Sequence, residues 1–423
     1  MTAIRAPEAP PLQAPRRVPA LEAADAPGAR ACGHSAPVII LGGGPIGLVC
    51  ALLLARQGFQ SRLVDARPLE VLQRDRRLLA LSRGSLQVLD SLLGPDFAPT
   101  ALIECVHVSS SGEPGATHLS AQDFGGVALG ATIWYADLVG ALAHAAAGNA
   151  CIVIERPRRA LRVDQSIDRV RVALDDGQLL EGCLAIDAEG SPPPRPREPA
   201  QFALLADVGF AQGAPECAME RFTREGPLAL LPVPSASAAL RADAREEGTT
   251  HMSMIWCLPA SLARARMDMA AGELLACIGR ALGPRVGAPV QLGDRSIFPL
   301  TVHWLRRTCE HRLVHLGNAA QTLHPVAGQG FNLGIRDCVA LVESLIDAHT
   351  DDSIDALAAL TKYRARRRLD RAIVPSLTSA LPRIFTSLAP PVALARSAAM
   401  VALDLVPVVR REFARLLMFG APR

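Results

Sequence analysis

The sequence predicts an α/β protein. A Rossmann-like dinucleotide-binding domain is joined to a second, sheet-based substrate domain and a helical C-terminus. Three stretches carry this reading. Residues 38–67 read as strand, glycine turn, helix, strand and acid. Residues 201–300 hold a succession of strand-like runs with little helix. Residues 312–345 again deliver a strand through a glycine-bearing loop to a helix.

Taken in order, residues 1–36 are rich in Ala and Pro and lack a hydrophobic period. They read as a disordered tail without the apolar core of a signal peptide. Val38 to Leu41 is a short apolar run, as in a buried parallel strand. Gly42, Gly44 and Gly47 then fit G-x-G-x-x-G. In that pattern the first glycine permits a tight turn and the second lets a pyrophosphate approach the backbone. The third lets helix and strand pack closely. Pro45 suits a first helical turn and Gly58 a left-handed cap. Asp65 ends the next strand, Ser61 to Val64, where a carboxylate can accept hydrogen bonds from an adenosine ribose. The N–H groups and dipole at the helix start favour phosphates. Val38 to Ala55 is uncharged and just long enough to span a bilayer, but three consecutive glycines and a proline argue against one continuous helix.

In Asp75 to Leu93, Ser82 or Ser85 caps a helix whose apolar face includes Leu86, Leu89 and Leu93. Arg76 and Arg77 precede it. Residues 160–186 alternate, with Asp175-Asp176-Gly177 as a hairpin turn. Leu184 to Ile186 leads into Asp187-Ala188-Glu189-Gly190, a ligand loop or an ordinary turn. Ser191 to Pro199 reads as a Pro- and Arg-rich linker. FALLAD, LALLP, HMSMIWC and SIFPL read as strands, with one helical stretch near Met267 to Leu282 and a surface loop between Ser235 and Gly248. Met252, Met254 and Trp256 share one face at period two, as core residues do. Leu313 to Leu316 is a strand and Gly317 to Gly330 a loop. From about Asn332 a helix carries Leu333, Val339, Leu341 and Leu345. Leu377 to Phe419 has apolar runs broken by prolines and arginines, which predicts an amphipathic helical region packed on the body, a partner or a membrane surface.

Hydrophobic residues make up 50% of the chain and charged residues 20%, a globular balance. The net charge of +3 demands no nucleic-acid partner. The 10 cysteines form no C-x-x-C pair, so neither a metal site nor a disulfide framework is signalled. A reduced, cytoplasmic compartment is the simplest reading.

Together these stretches resemble the FAD-dependent aromatic hydroxylases. GGGPIG with Asp65 and Arg67 is similar to their first FAD motif. Asp75, Arg77 and Ala80-Leu81-Ser82 are similar to a segment that places its Arg by the flavin. LGNAAQTLHPVAGQGFNLGIRD is similar to their last FAD motif. Asn318 and Gln321, in place of the usual Asp and His, resemble the ubiquinone-biosynthesis branch, as do VHVSSSG and ERFTREGPLALLP. The resemblance implies resident FAD, held at Gly42, Gly44, Gly47, Asp65, Arg67, Arg77, Asn318, Pro325, Gly328, Gly330 and Asn332. It implies NAD(P)H as a transient co-substrate. It also implies hydroxylation of a hydrophobic aromatic, a polyprenylated methoxyphenol, with O2. His324 and His251 are the candidates for acid or base, although a loop-shaping role suits His324 better. A ubiquinone-biosynthesis complex and the inner face of the membrane are the partners it brings into view. The middle family motif departs: Glu189 precedes Gly190, Pro192 to Pro194 follow, and the spaced Ser and Arg are missing. Nor does Ile133 to Leu138 hold the Arg that many relatives set against the flavin. Two other functions stay open, a hydroxylase of small soluble aromatics or other flavin oxidoreductase, and a non-catalytic FAD-fold subunit. The implied organisation is a tail at 1–36, an FAD-binding domain at 37–200 and 295–375, a substrate domain at 201–294 and a helical region at 376–423.

Overall fold

The computed structural model describes residues 36–112, 116–190, 199–211, 216–234, 249–284, 286–349, 354–386 and 390–420. The expected tail, the linker from Ser191 and the loop from Ser235 to Gly248 lie outside the described residues, apart from their boundary positions.

Five parallel strands form the first sheet, in the order Leu313–His315, Leu184–Asp187, Val38–Leu41, Ser61–Val64, Ile152–Glu155. Its central strand is buried on both faces. Val38 and Ile40 join a core with helices Pro45–Arg56, Tyr135–Ala147 and Gln329–Ile346. Ile39 and Leu41 pack on the other side against the three-stranded meander of residues 160–182. A strand covered on both sides has no polar face, which explains the uninterrupted VIIL.

The second sheet has seven strands, in the order Pro289–Leu300, Gln201–Phe210, Thr250–Pro259, Gly226–Pro232, Cys217–Thr223, Cys105–Ser110, Ala116–Ser120. Met252, Met254 and Trp256 are buried on one face, under helices Ala260–Met267 and Ala271–Leu282. The helix expected near Met267 to Leu282 is Ala271–Leu282, and Ala260–Met267 before it is a further helix that the sequence reading did not anticipate. Ala270 is extended (φ −60°, ψ 146°). Arg295 Nη1 donates to the carbonyl of Met269 at 2.7 Å and of Arg266 at 3.3 Å, which stabilises the break by taking up carbonyls that it frees.

The absence of a disulfide signal also needs correction. Cys105 and Cys217 are bonded to one another, 112 residues apart in sequence. Only the parallel pairing of their strands brings them opposite each other, so no local spacing could announce the bond.

Three helices end the chain: Ala356–Thr386, Pro390–Leu405 and Pro407–Phe419. The first runs through Pro375 and Pro382 rather than breaking there. Ser376 and Thr378 donate their hydroxyls to the carbonyls of Ala372 (2.6 Å) and Val374 (3.0 Å), local bonds beside the donor that Pro375 lacks. Among the described residues, no helix is long and apolar enough to cross a membrane.

Candidate functional site

The glycine turn leaves the C-terminal edge of the five-stranded sheet. Gly42 has φ +100°, and a Cβ there would lie 2.4 Å from the carbonyl oxygen of Ala188. A Cβ at Gly47 would lie 1.9 Å from the Gly42 oxygen. These two glycines are therefore demanded by the protein's own packing. Gly44 is different. Its φ of −72° suits any residue, and a Cβ would meet only the Tyr135 hydroxyl, at 3.6 Å. The space in front of Gly44 is a cradle that a side chain would fill. No side chain caps this helix, and its first turn holds no acid, so an anion placed there meets the positive end of the dipole.

Asp65 is buried beside the turn and accepts hydrogen bonds from the Gly43 and Arg67 N–H groups, each at 2.7 Å. Arg67 also pairs with it through Nε at 3.3 Å. Two residues that the sequence reading passed over complete this corner. Arg156 donates to the Gly43 carbonyl and lies 3.9 Å from Asp65. It directly follows the strand Ile152–Glu155. A residue just past a parallel strand's C-terminal end is well placed to meet a ligand, and that was the available signal. Tyr135 occupies the segment where relatives place an Arg, and the Arg77 guanidinium stacks on its ring at 5.0 Å. Burial raises the Tyr135 pKa, although Arg77 pulls the other way. Burial works against the Arg77 charge, but Asp75, bonded at 2.5 Å, outweighs it.

The second glycine loop meets the first across Ile46. A Cβ on Gly317 would approach Ile46 Cγ1 to 3.1 Å, and one on Gly334 would approach Ile46 Cδ1 to 2.7 Å. Asn318 is exposed on the turn Gly317–Ala319. Gln321 is buried, donates to Asp337 at 2.8 Å and accepts from Arg371. Behind them Asp337, Arg367, Asp370 and Arg336 continue a buried ion network.

The helix expected from about Asn332 begins at Gln329, after Gly328 with φ +58°. Asn332 is buried and committed to the protein. It accepts from Ser82 N (2.8 Å) and donates to the carbonyls of Ala80 (2.9 Å) and Gly328 (2.8 Å). Its side chain thus pins the strand Leu78–Ser82 to the loop. A Cβ on Gly330 would meet nothing within 4 Å, so this glycine faces open space.

That space belongs to a cavity of about 550 Å³. One wall is residues 78–82 and 325–332 without Ala327, which includes Pro325, Gly328 and Gly330. A second is the face of the seven-stranded sheet opposite Met252. The C-terminal helices, with Met400, Phe413 and Leu417, form the third. The lining is almost wholly apolar; among its described residues Glu220 and Arg396 carry charge.

His251 and His324 do not line this cavity. His251 lies at the end of its strand, 3.4 Å from Asp207. His324 is buried with neither ring nitrogen bonded, and burial pushes its pKa down to about 4. A ring that is neutral at pH 7 is a poor general acid. Glu189 is an exposed residue in the loop behind Gly42. Its pKa is raised by desolvation, with Asp187 and Asp65 adding to the rise.

The residues fit a flavin dinucleotide: an anion cradle at Gly44, a carboxylate at the second strand's end, and a second helix N-terminus on an apolar cavity. Comparison with known proteins agrees. Residues 35–94 and 229–373 match the FAD binding domain family. Ubiquinone hydroxylase UbiL of Rhodospirillum rubrum is 29% identical, over 90% of this chain and 89% of that protein. The 3-demethoxyubiquinol 3-hydroxylase of Escherichia coli is 25% identical, over 89% of this chain and 96% of that protein. The crystal structure of p-nitrophenol 4-monooxygenase PnpA from Pseudomonas putida superposes with a TM-score of 0.70 at 14% identity, covering 92% of this chain and 99% of that one.

Proposed function

We propose that this chain, which belongs to the FAD-dependent monooxygenases of the FAD-binding-domain family, hydroxylates a polyprenylated methoxyphenol in ubiquinone biosynthesis. NAD(P)H and O2 would be its co-substrates. The observation that carries the reading is the cavity of about 550 Å³, apolar on nearly every wall and bordered by the loop of Pro325 to Asn332. That is the size and character of a small-molecule site. The names of both curated relatives, a ubiquinone hydroxylase and a 3-demethoxyubiquinol 3-hydroxylase, support it. Bound FAD would supply the redox chemistry that NAD(P)H and O2 require. The protein's part is to hold and orient. Gly44 and the helix behind it take the pyrophosphate, and Asp65 takes the ribose, with Arg67 and Arg156 beside it. Arg77 on Tyr135, Asn318 and the N–H groups after Gly328 border the rest, and Asn332 fixes that loop. The cavity excludes water from the ring. The division into FAD-binding domain, substrate domain and helical region at residues 200, 295 and 376 is part of the same proposal. So is a location at the inner membrane face.

A long prenyl tail supplies binding that a small ring cannot. Buried CH₂ groups gain about 0.8 kcal/mol each, so one isoprene unit contributes at most roughly 3–4 kcal/mol. Efficiency should climb over the first one or two units and then level off where the tail leaves the cavity. The test is NAD(P)H oxidation with labelled-oxygen incorporation across phenols of increasing tail length. Coupled turnover of tail-less phenols at equal efficiency would favour a soluble aromatic substrate instead. Failure of NAD(P)H to bleach the bound flavin would favour a non-catalytic subunit, which the altered Glu189–Gly190 loop keeps in view.

A further inference from the structure

We infer that Arg396 is the anion-binding pole of the cavity and receives the ring oxygen of the substrate as phenolate. The inference rests on the hydroxylase reading above and adds to it a subsite on the C-terminal helices. Arg396 lines the cavity while only 5% exposed, on the helix Pro390–Leu405. A guanidinium does not enter an apolar space without compensation, and here the neighbouring side chains fix it. Its Nη1 donates to the Ile384 carbonyl, and its carbon lies 5.4 Å from the Phe385 ring. Phe385 in turn stacks on Phe222 of the sheet, with centroids 3.7 Å apart and planes 13° from parallel. The helix itself is tied to the sheet where Thr117 Oγ1 donates to the Met400 carbonyl at 3.4 Å. The charge is therefore held in a defined place. A guanidinium has five donors in one plane, so it can serve a carbonyl and a ligand together.

The surroundings say what that ligand is. The cavity is otherwise apolar, and an apolar site favours a neutral phenol. A desolvated cation against the ring oxygen reverses that preference. The O–H bond breaks, the electron pair stays on oxygen and the proton leaves to solvent. The resulting phenolate pushes electron density to its ortho and para carbons, where electrophilic oxygen is accepted. The carboxylate facing the same cavity is Glu220, on the strand Cys217–Thr223, and it acts in the opposite sense. Asp123 and Arg410, on the neighbouring elements, pair with each other at 3.2 Å. Val106, Val108, Thr117 and Leu119 line the cavity, so His107 and His118 alternate onto the far side of their strands.

The experiment titrates 2-methoxy-6-prenyl-4-nitrophenol bound to the oxidised holoenzyme, following nitrophenolate absorbance with pH. The bound probe should ionise about one pH unit or more below the free probe, a tenfold or greater preference for phenolate. Arg396→Leu should erase or reverse the shift, Arg396→Lys should keep part of it, and Glu220→Gln should enlarge it. A wild-type probe that ionises at or above its free value would overturn the inference, as would a shift that survives Arg396→Leu. If Arg396→Leu loses its flavin, the wild-type titration and Arg396→Lys still decide. A shifted probe without turnover of prenylated methoxyphenols would sink the substrate reading alone. Turnover with an unshifted probe would sink this subsite alone.

Discussion

Gly44 and Gly47 belong to one motif, yet they should fail differently when substituted. A Cβ at Gly44 meets no protein atom closer than 3.6 Å and needs no unusual backbone, whereas one at Gly47 would lie 1.9 Å from a carbonyl oxygen. Gly44→Val should therefore fold with near wild-type thermal stability but purify without yellow colour. Gly47→Ala should lose stability as well. Flavin content per chain, read beside the unfolding midpoint, separates the two; a yellow Gly44→Val would mean the cradle is misplaced. His324 gives a second expectation. Its folded pKa of about 4 lies below the ordinary 6.5, so the unfolded chain binds more protons between those values. Stability should be complete above pH 6.5 and fall towards pH 4 by as much as roughly 3 kcal/mol from this group. Urea midpoints measured across that window should show a slope that His324→Phe flattens; an unchanged slope would assign the acid sensitivity elsewhere. The glycine spacing made the cradle legible in the sequence. The roles of Tyr135 and Arg156 were not, because each reaches the turn only through tertiary packing and has no motif of its own.

At the scale of elements, the first motif and the last are coupled. Ile46 sits between the two glycine loops, and Asn332 ties Ala80 and Ser82 to the loop of Gly328. Behind the second loop, Asp337 and Asp370 share Arg367, which donates at 2.6 and 2.5 Å with all three nearly fully buried. Burial opposes the Arg367 charge, and the two carboxylates overcome it. Removing one member of such a network leaves a buried charge uncompensated and costs about 3–5 kcal/mol. Arg367→Leu should lose that much in urea unfolding, with little change in added salt because the network is shielded. A salt-sensitive deficit, or none, would show the network to be open to solvent. The strand, loop and helix of residues 312–345 were legible from apolar runs and glycines. The network was not, because Arg367 and Asp370 lie in a run that reads as surface charge.

Across the whole molecule, the sequence showed helices at the C-terminus without showing that they wall the cavity. Met400, Phe413 and Leu417 face inward, whereas Leu405, Val406, Val408 and Val409 form an outward tip where two helices join, exposed by 73%, 42%, 68% and 47%. This short run of exposed aliphatic side chains, followed by Arg411, is where the proposed membrane location would place an interfacial anchor on an anionic bilayer. The proposed substrate, with its prenyl tail, would reside in that bilayer, and the same two helices wall the cavity. Deleting the chain after Leu377 cannot test this cleanly, because the deletion would also open the cavity. Leu405→Glu with Val408→Glu leaves the inward residues untouched. Full-length holoenzyme should co-sediment with vesicles containing phosphatidylglycerol more than with phosphatidylcholine alone. The double substitution should reduce that association about tenfold or more while flavin content stays constant, since two buried aliphatic side chains are each worth at least about 1.5 kcal/mol. The apparent KM for prenylated substrate presented in vesicles should rise, and that for the same substrate in detergent should not. Equal vesicle binding by the folded, yellow double variant would exclude the tip as a membrane anchor.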